Sequence, residues 1–341
     1  MSAVSPLSYT EHEMLESKEL CKRFDFDVTK ELAQSIEVGH VIFTGMGSSV
    51  LFPGKQAKNR AAHFHLKNKI DVFFASDLLQ YEDFSHITLF LCSNSGETKE
   101  TIVLHDYAVS RGARCVAVTA KLDSTLAKKC KEKIFLSGGF EVGVAATKSV
   151  IEQGLIYDSL IFHLAKNQGR KIDFLQLKEE LVKTGKAIAE NTLIQMKSTL
   201  VEKLATYPRY LYVGLDNGVG EEITLKTHEI VRKFATFYPD THIVHGPGEA
   251  MDKECIFLLD PSSWKGYLTD FQSFAQKTNS MLVGIGGTSL GESIPIVIHE
   301  TFKNYCLLAG GWGLLRNIAH YLRIDIDHPE KISKIGNLYQ E

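Results

Sequence analysis

The chain has no Cys-x-x-Cys pair. Its six cysteines, Cys21, Cys92, Cys115, Cys130, Cys255 and Cys306, are scattered, which excludes the usual zinc and dithiol motifs. Several lie in apolar runs, as in Leu91-Cys92 and Cys115-Val116, so buried thiols in a reducing cytoplasm are expected. No apolar stretch reaches the roughly 18 residues that span a bilayer. Residues 1–20 show no basic stretch followed by an apolar one, so no secretory signal is read. A cytoplasmic protein without membrane contact is the expectation. Charge of one sign is also lacking. The formal net charge is −3, which gives no basic footprint for nucleic acid, and an anionic ligand would have to be drawn by a local site.

Nucleotide loops are missing as well. No glycine-rich stretch ends in Gly-Lys-Ser/Thr. Gly45-Met46-Gly47 runs into Ser48-Ser49 and lacks the third glycine of a dinucleotide loop. His63 and His65 stand apart from any Asp, Glu or Cys cluster, so they are not read as ligands. No metal and no cofactor is expected.

What is present is an ordinary globular composition, 44% hydrophobic and 23% charged over 341 residues, a length that suits two domains. Residues 1–36 read as a leading helical segment. Short runs apolar on both faces then begin: Val41-Ile42-Phe43, Ile87 to Cys92, Cys115 to Val118 and Ile134 to Leu136. Separated by helical stretches, they indicate buried parallel strands with crossover helices. One α/β lobe is therefore placed at 37–165 and a helical connection at 166–205. The strand rhythm restarts at Tyr210 to Val213, Ile256 to Leu259 and Met281 to Ile285, giving a second α/β lobe at 206–323 and an irregular tail at 324–341. The fold class is α/β, doubly wound and flavodoxin-like in each lobe, and a distant internal duplication is inferred from the shared order of elements.

Two strand ends in the first lobe carry small hydroxyls and glycine: Gly47-Ser48-Ser49 and Ser93-Asn94-Ser95-Gly96-Glu97-Thr98. In an open parallel sheet, ligands bind at the carboxyl ends of strands. Glycine permits close backbone approach, and helix starts point N–H groups at anions. The plainer reading of either loop is ordinary turn and cap chemistry.

Ser93 to Thr98, followed by Glu141-Val142-Gly143-Val144-Ala145-Ala146-Thr147-Lys148, resembles the sugar isomerase (SIS) domain family. The nearest likeness is to the isomerase half of glucosamine-6-phosphate synthase and to free-standing deaminase-like members. It extends through Leu225 to Ile230, His245-Gly246-Pro247 and the tail from Asp325 to Lys334, and the spacing of Glu229 and His245, sixteen residues, matches the family's. The resemblance implies that Ser49, Ser93, Ser95 and Thr98 hold phosphate, with Ser48 and Asn94 beside them. Val144, Ala145 and Ala146 would contact the sugar, and Glu222 fits the family's glutamate four residues before Lys226. The family builds its site from two chains, which implies a homodimer in which His245 completes the partner's site.

Moving a carbonyl between C1 and C2 of a sugar requires a base that takes a proton from one carbon and returns it to the next. A carboxylate suits this step, and Glu229 is the candidate. Ring opening needs proton transfer that suits the imidazole of His245. A lysine amine can condense with a ketose carbonyl, and Lys334 matches the family's tail lysine. Lys226, a helical turn before Glu229, is given an electrostatic or proton-relay role. From the residues alone other readings stand. Glu222, Lys226, Glu229 and Lys233 form a stripe that fits a solvated salt-bridge face. His245 fits a turn residue and Lys334 a surface lysine.

The family pattern is not followed throughout. Residues 1–40 leave no room for a glutaminase domain and no nucleophilic cysteine follows Met1, so glutamine-independent chemistry is expected. The loop Gly214 to Gly220 is shorter than the synthase's, and His228 stands in place of a second lysine. The expected activity is aldose–ketose isomerisation with deamination of an amino-sugar phosphate such as glucosamine 6-phosphate. A fructosamine 6-phosphate deglycase, a plain sugar-phosphate isomerase and a non-enzymatic sugar-phosphate sensor are the alternatives.

Overall fold

The seven short apolar runs read from the sequence fall on strands of the computed structural model, which describes residues 7–287 and 291–340 and has ten strands among them. They are β1 (His40–Gly45), β2 (Lys69–Phe74), β3 (Ile87–Cys92), β4 (Arg114–Thr119), β5 (Glu132–Phe135), β6 (Arg209–Gly214), β7 (Phe234–Pro239), β8 (Cys255–Leu259), β9 (Met281–Ile285) and β10 (Glu292–Ile294). All pairings among them are parallel. One sheet has the order β2-β1-β3-β4-β5 and the other β10-β9-β8-β6-β7. Substituting β6 for β1, β7 for β2 and so on turns the first order into the second, so the two sheets share one topology.

The first lobe comprises Arg23–Val142, Ala146–Lys178 and the tail from Lys331. β3 is buried at all six positions, as expected of a central strand covered on both faces. Successive side chains of β1 point opposite ways. Ile42 enters a cluster with Leu89, Leu91, Ile102, Leu104 and Ala117. Phe43 stacks on Tyr157 at 4.1 Å between ring centroids and contacts Phe90 at 5.2 Å. Tyr157 belongs to the helix Lys148–Asn167, which is buried from Lys148 to Ala165. Each large side chain of this kind contributes roughly 1.5–3 kcal/mol on burial.

The second lobe comprises residues 7–22, Gly143–Ala145 and Glu179–Glu330. Leu211, Val213, Ile256 and Leu258 pack with Trp264 and Phe271 on one face of its sheet. Tyr212 stacks on Phe257 at 5.2 Å on the other. The leading segment of the sequence divides: its helix Tyr9–Arg23 begins in the second lobe, while Phe26–Thr29 and Lys30–Ser35 belong to the first. The helix start is tied down by Asp327, which accepts from the Thr10 hydroxyl at 2.8 Å. Buried Glu11 accepts from Arg316 at 2.6 Å and pairs with His320 at 2.9 Å. All six cysteines are buried and none is in a disulfide, and burial pushes the Cys92 thiol up to about 12. Among the described residues no helix is long and apolar enough to cross a membrane.

Candidate active site

The first lobe gathers its hydroxyls where β1 and β3 end side by side, with Gly45 paired to Cys92. A Cβ on Gly45 would lie 2.6 Å from the Cys92 carbonyl oxygen and 3.3 Å from the Ser49 Cβ, so glycine lets the two loops meet. Gly47–Ser49 forms a single tight turn in which Ser48 is buried and Ser49 half-buried. After β3, the Ser93 and Thr98 hydroxyls lie 2.9 Å apart and Ser93 and Ser95 3.4 Å apart. Ser93 Oγ accepts from the Gly96 amide and Ser95 Oγ from the Glu97 amide. Gly96 has φ +66°, and a Cβ there would meet the Ser124 hydroxyl at 2.1 Å, so no other residue fits. Thr98 precedes the helix Lys99–Val109 but makes no side-chain cap bond, because its hydroxyl turns to Ser93. Uncharged donors therefore converge at a helix start, which suits a phosphate group.

A buried carboxylate that the sequence reading left out of the site organises the rest of this lobe. Glu141 accepts from the Thr147 backbone amide at 2.8 Å, the Ser149 backbone amide at 3.2 Å, the Ser149 hydroxyl at 2.5 Å and the Asn94 side-chain Nδ2 at 3.3 Å. Lys334 Nζ reaches the same carboxylate at 3.4 Å. Burial pushes the Glu141 carboxyl up, but Lys334 and the Ser149 and Thr147 donors outweigh it and hold the group below its usual value. The signal available in the sequence was an acidic residue opening an otherwise apolar, glycine-containing stretch.

The tail is not a free surface segment. The Lys99 amide donates to the Asn337 carbonyl and the Tyr339 amide to that of Glu97, both within 3.0 Å. Thr98 and Leu338 form an antiparallel bridge, and Tyr339 packs on the core cluster of the lobe. Lys334 is thereby seated beside the hydroxyl loop with only 18% of its side chain exposed, which corrects the surface-lysine reading. Ala146 is half-buried in this lobe, whereas half-buried Val144 and buried Ala145 group with the second lobe.

In the second lobe, the helix Val219–Lys226 widens into one π turn at Thr227–Val231. The Glu222 and Lys226 side chains are completely buried and 3.4 Å apart. Lys226 Nζ also donates to Glu229 at 2.5 Å, and the Glu229 side chain keeps 17% exposure. The solvated-stripe reading is thus wrong, because tertiary packing buries Glu222 and Lys226 completely and leaves Glu229 half-buried. The fourth, Lys233, leaves the stripe when the chain turns at Arg232 (φ +55°) and instead donates to the Ala205 and Tyr207 carbonyls. His228 is exposed and bonds the Ala235 backbone at 3.1 Å. His245 is exposed before Gly246 (φ +118°), and among the described residues it carries no side-chain hydrogen bond or ion pair. The structure therefore joins Glu222, Lys226 and Glu229 in one array, joins Lys334 to the hydroxyl loop through Glu141, and leaves His245 outside both.

Proteins similar to this chain in sequence and in fold are known. The SIS domain model matches residues 36–162. The isomerizing glutamine–fructose-6-phosphate aminotransferase of Clostridium acetobutylicum is 28% identical over 338 residues, covering 91% of this chain and 53% of that protein. Its namesake from Bradyrhizobium diazoefficiens is 31% identical over 169 residues, covering 47% of this chain and 27% of that protein. The chain thus spans about half or less of the length of these curated relatives. Among solved structures, the C-terminal domain of the Francisella tularensis glucosamine-fructose-6-phosphate aminotransferase superposes with TM-score 0.79 at 20% identity, covering 96% of this chain and 100% of that one. The glucosamine-6-phosphate deaminase of Thermotoga maritima superposes with TM-score 0.74 at 20% identity, covering 97% and 100% of the two chains. These likenesses concern the fold, two parallel-sheet lobes of one topology. The match to the SIS domain covers residues 36–162, which hold the five strands and both hydroxyl loops of the first lobe.

Proposed function

We propose that the chain is a phosphosugar aldose–ketose isomerase that also deaminates an amino-sugar phosphate such as glucosamine 6-phosphate. The observation that carries this reading is the seating of Lys334 beside the Ser93–Ser95–Thr98 hydroxyls by buried Glu141. A phosphate-binding loop with an amine at its side suits a phosphorylated carbonyl substrate. In this reading Ser49, Ser93, Ser95 and Thr98 hold the phosphate, with Ser48 and Asn94 beside them, and Val144, Ala145 and Ala146 contact the sugar.

After ring opening, Glu229 takes the C2 proton of the aldose form and returns it at C1 while a proton passes from the amine nitrogen to O1, which leaves an imine at C2 and a hydroxyl at C1. Lys226, held between Glu222 and Glu229, fixes the carboxylate and stabilises its charge. The Lys334 amine attacks C2 and ammonia leaves. Water then hydrolyses the lysine imine to release the ketose phosphate and regenerate the amine. With a plain hexose phosphate the same proton transfer gives isomerisation alone. The exposed His245 suits ring opening in the site of a second copy, so we propose a homodimer.

Incubation with glucosamine 6-phosphate, read for ammonia and fructose 6-phosphate, tests this. Release of both supports deamination. Turnover of hexose 6-phosphates without ammonia from any hexosamine phosphate would leave isomerisation only. Binding without turnover of any of them would make the protein a sensor.

A further inference from the structure

Because the two sheets share one topology, the loop after β8 is the counterpart of the hydroxyl loop after β3. The match holds residue by residue. Ser93 follows β3, and its amide donates to the Val118 carbonyl at 3.0 Å, Val118 being the residue paired with Cys92. Asp260 follows β8, and its amide donates to the Ile285 carbonyl at 2.8 Å, Ile285 being paired with Leu259. The Gly96 amide closes a turn onto the Ser93 carbonyl at 3.0 Å, and the Ser263 amide closes the same turn onto the Asp260 carbonyl at 2.9 Å. Asp260 thus holds the position of the first hydroxyl in the phosphate-type loop.

Its carboxylate is 8% exposed and ringed by donors. The Ser262 and Ser263 hydroxyls each donate at 2.5 Å, and Lys303 Nζ donates at 2.9 Å. Lys303 opens the long helix Lys303–Leu322, and exposed Glu300 lies 4.0 Å from its amine at the rim. Two hydroxyls and an ammonium around one oxyanion form the donor set of a phosphate site, here filled by the chain itself. Burial pushes the Asp260 carboxyl up, yet Ser262, Ser263 and Lys303 hold it below the usual value, so it is an anion at neutral pH.

We infer that the second lobe retains a duplicate anion site, that Asp260 is its built-in occupant, and that this occupant closes the second lobe to phosphorylated ligands. The inference is independent of the proposed reaction, because it concerns a second site counted against the unmodified chain.

The test uses inorganic phosphate and the full chain. Asp260 has φ +47°, a conformation glycine adopts without penalty, so D260G removes the carboxylate at little cost to the backbone. Calorimetric titration of D260G should show one more equivalent of phosphate bound than in the unmodified chain. Adding K303M should weaken that extra site at least tenfold. D260S, which installs the hydroxyl that Ser93 supplies in the first lobe, is the second variant and has the same expectation if D260G does not fold. A folded D260G or D260S with the unmodified chain's stoichiometry would overturn the inference, as would an extra equivalent that K303M leaves intact.

Discussion

Replacing Lys226 by Met separates a buried array from a solvated face. Methionine keeps much of the length and apolar volume of the lysine stem and removes the charge. The unmodified side chain is fully buried, with Glu222 at 3.4 Å, also fully buried, and Glu229 at 2.5 Å. Removing one partner from a buried ion pair costs about 3–5 kcal/mol, because the remaining charge stays desolvated and uncompensated. An exposed pair costs about 0–1 kcal/mol. K226M should therefore fall in the higher range, read as the loss in unfolding free energy from urea titration at neutral pH. The double variant E222Q/K226M, which also removes the buried carboxylate charge, should recover much of the loss. A K226M loss under about 1 kcal/mol would refute the buried-array reasoning. Equal losses in the single and double variants would refute the charge explanation and point to packing.

Glu229→Gln should keep sugar-phosphate binding by calorimetry and lose about two to four orders of magnitude in turnover, the usual effect of removing a general base; an unchanged rate removes Glu229 from the mechanism. Lys334→Ala should abolish borohydride trapping of a ketose phosphate on the protein, followed by mass spectrometry, and persistent trapping would place the imine on another lysine. Bonds from His320, the Ser8 amide and Arg316 outweigh burial and hold Glu11 at about 2, against 4.5 ordinarily. Its contribution to stability is therefore complete above pH 4.5 and is lost as pH falls towards 2. The stability difference between the unmodified chain and E11Q should shrink across that window, and a constant difference contradicts the linkage.

Much of the fold was legible in the sequence because buried parallel strands leave continuous apolar runs, as β3 and β8 do. The hydroxyl loops were legible through the family resemblance, since glycine and serine at strand ends also serve ordinary turns and caps. The burial of Glu222 and Lys226 was not, since an acidic–basic stripe reads the same whether water or protein covers it. The departure of Lys233 depended on the left-handed turn at Arg232, which no period of apolar residues announces. The seating of Lys334 rested on backbone bonds from Asn337 and Tyr339 that carry no side-chain signature. Glu141 was not assigned to the site because its donors come from three separate parts of the chain, at Asn94, Thr147 to Ser149, and Lys334.

The central claim is that a phosphorylated amino sugar is isomerised and loses its nitrogen on this chain. Product analysis after incubation with glucosamine 6-phosphate, without glutamine, tests it most directly. The account predicts ammonia and fructose 6-phosphate in equal amounts, both abolished in Lys334→Ala. No ammonia from any hexosamine 6-phosphate, or ammonia released equally by Lys334→Ala, would contradict it.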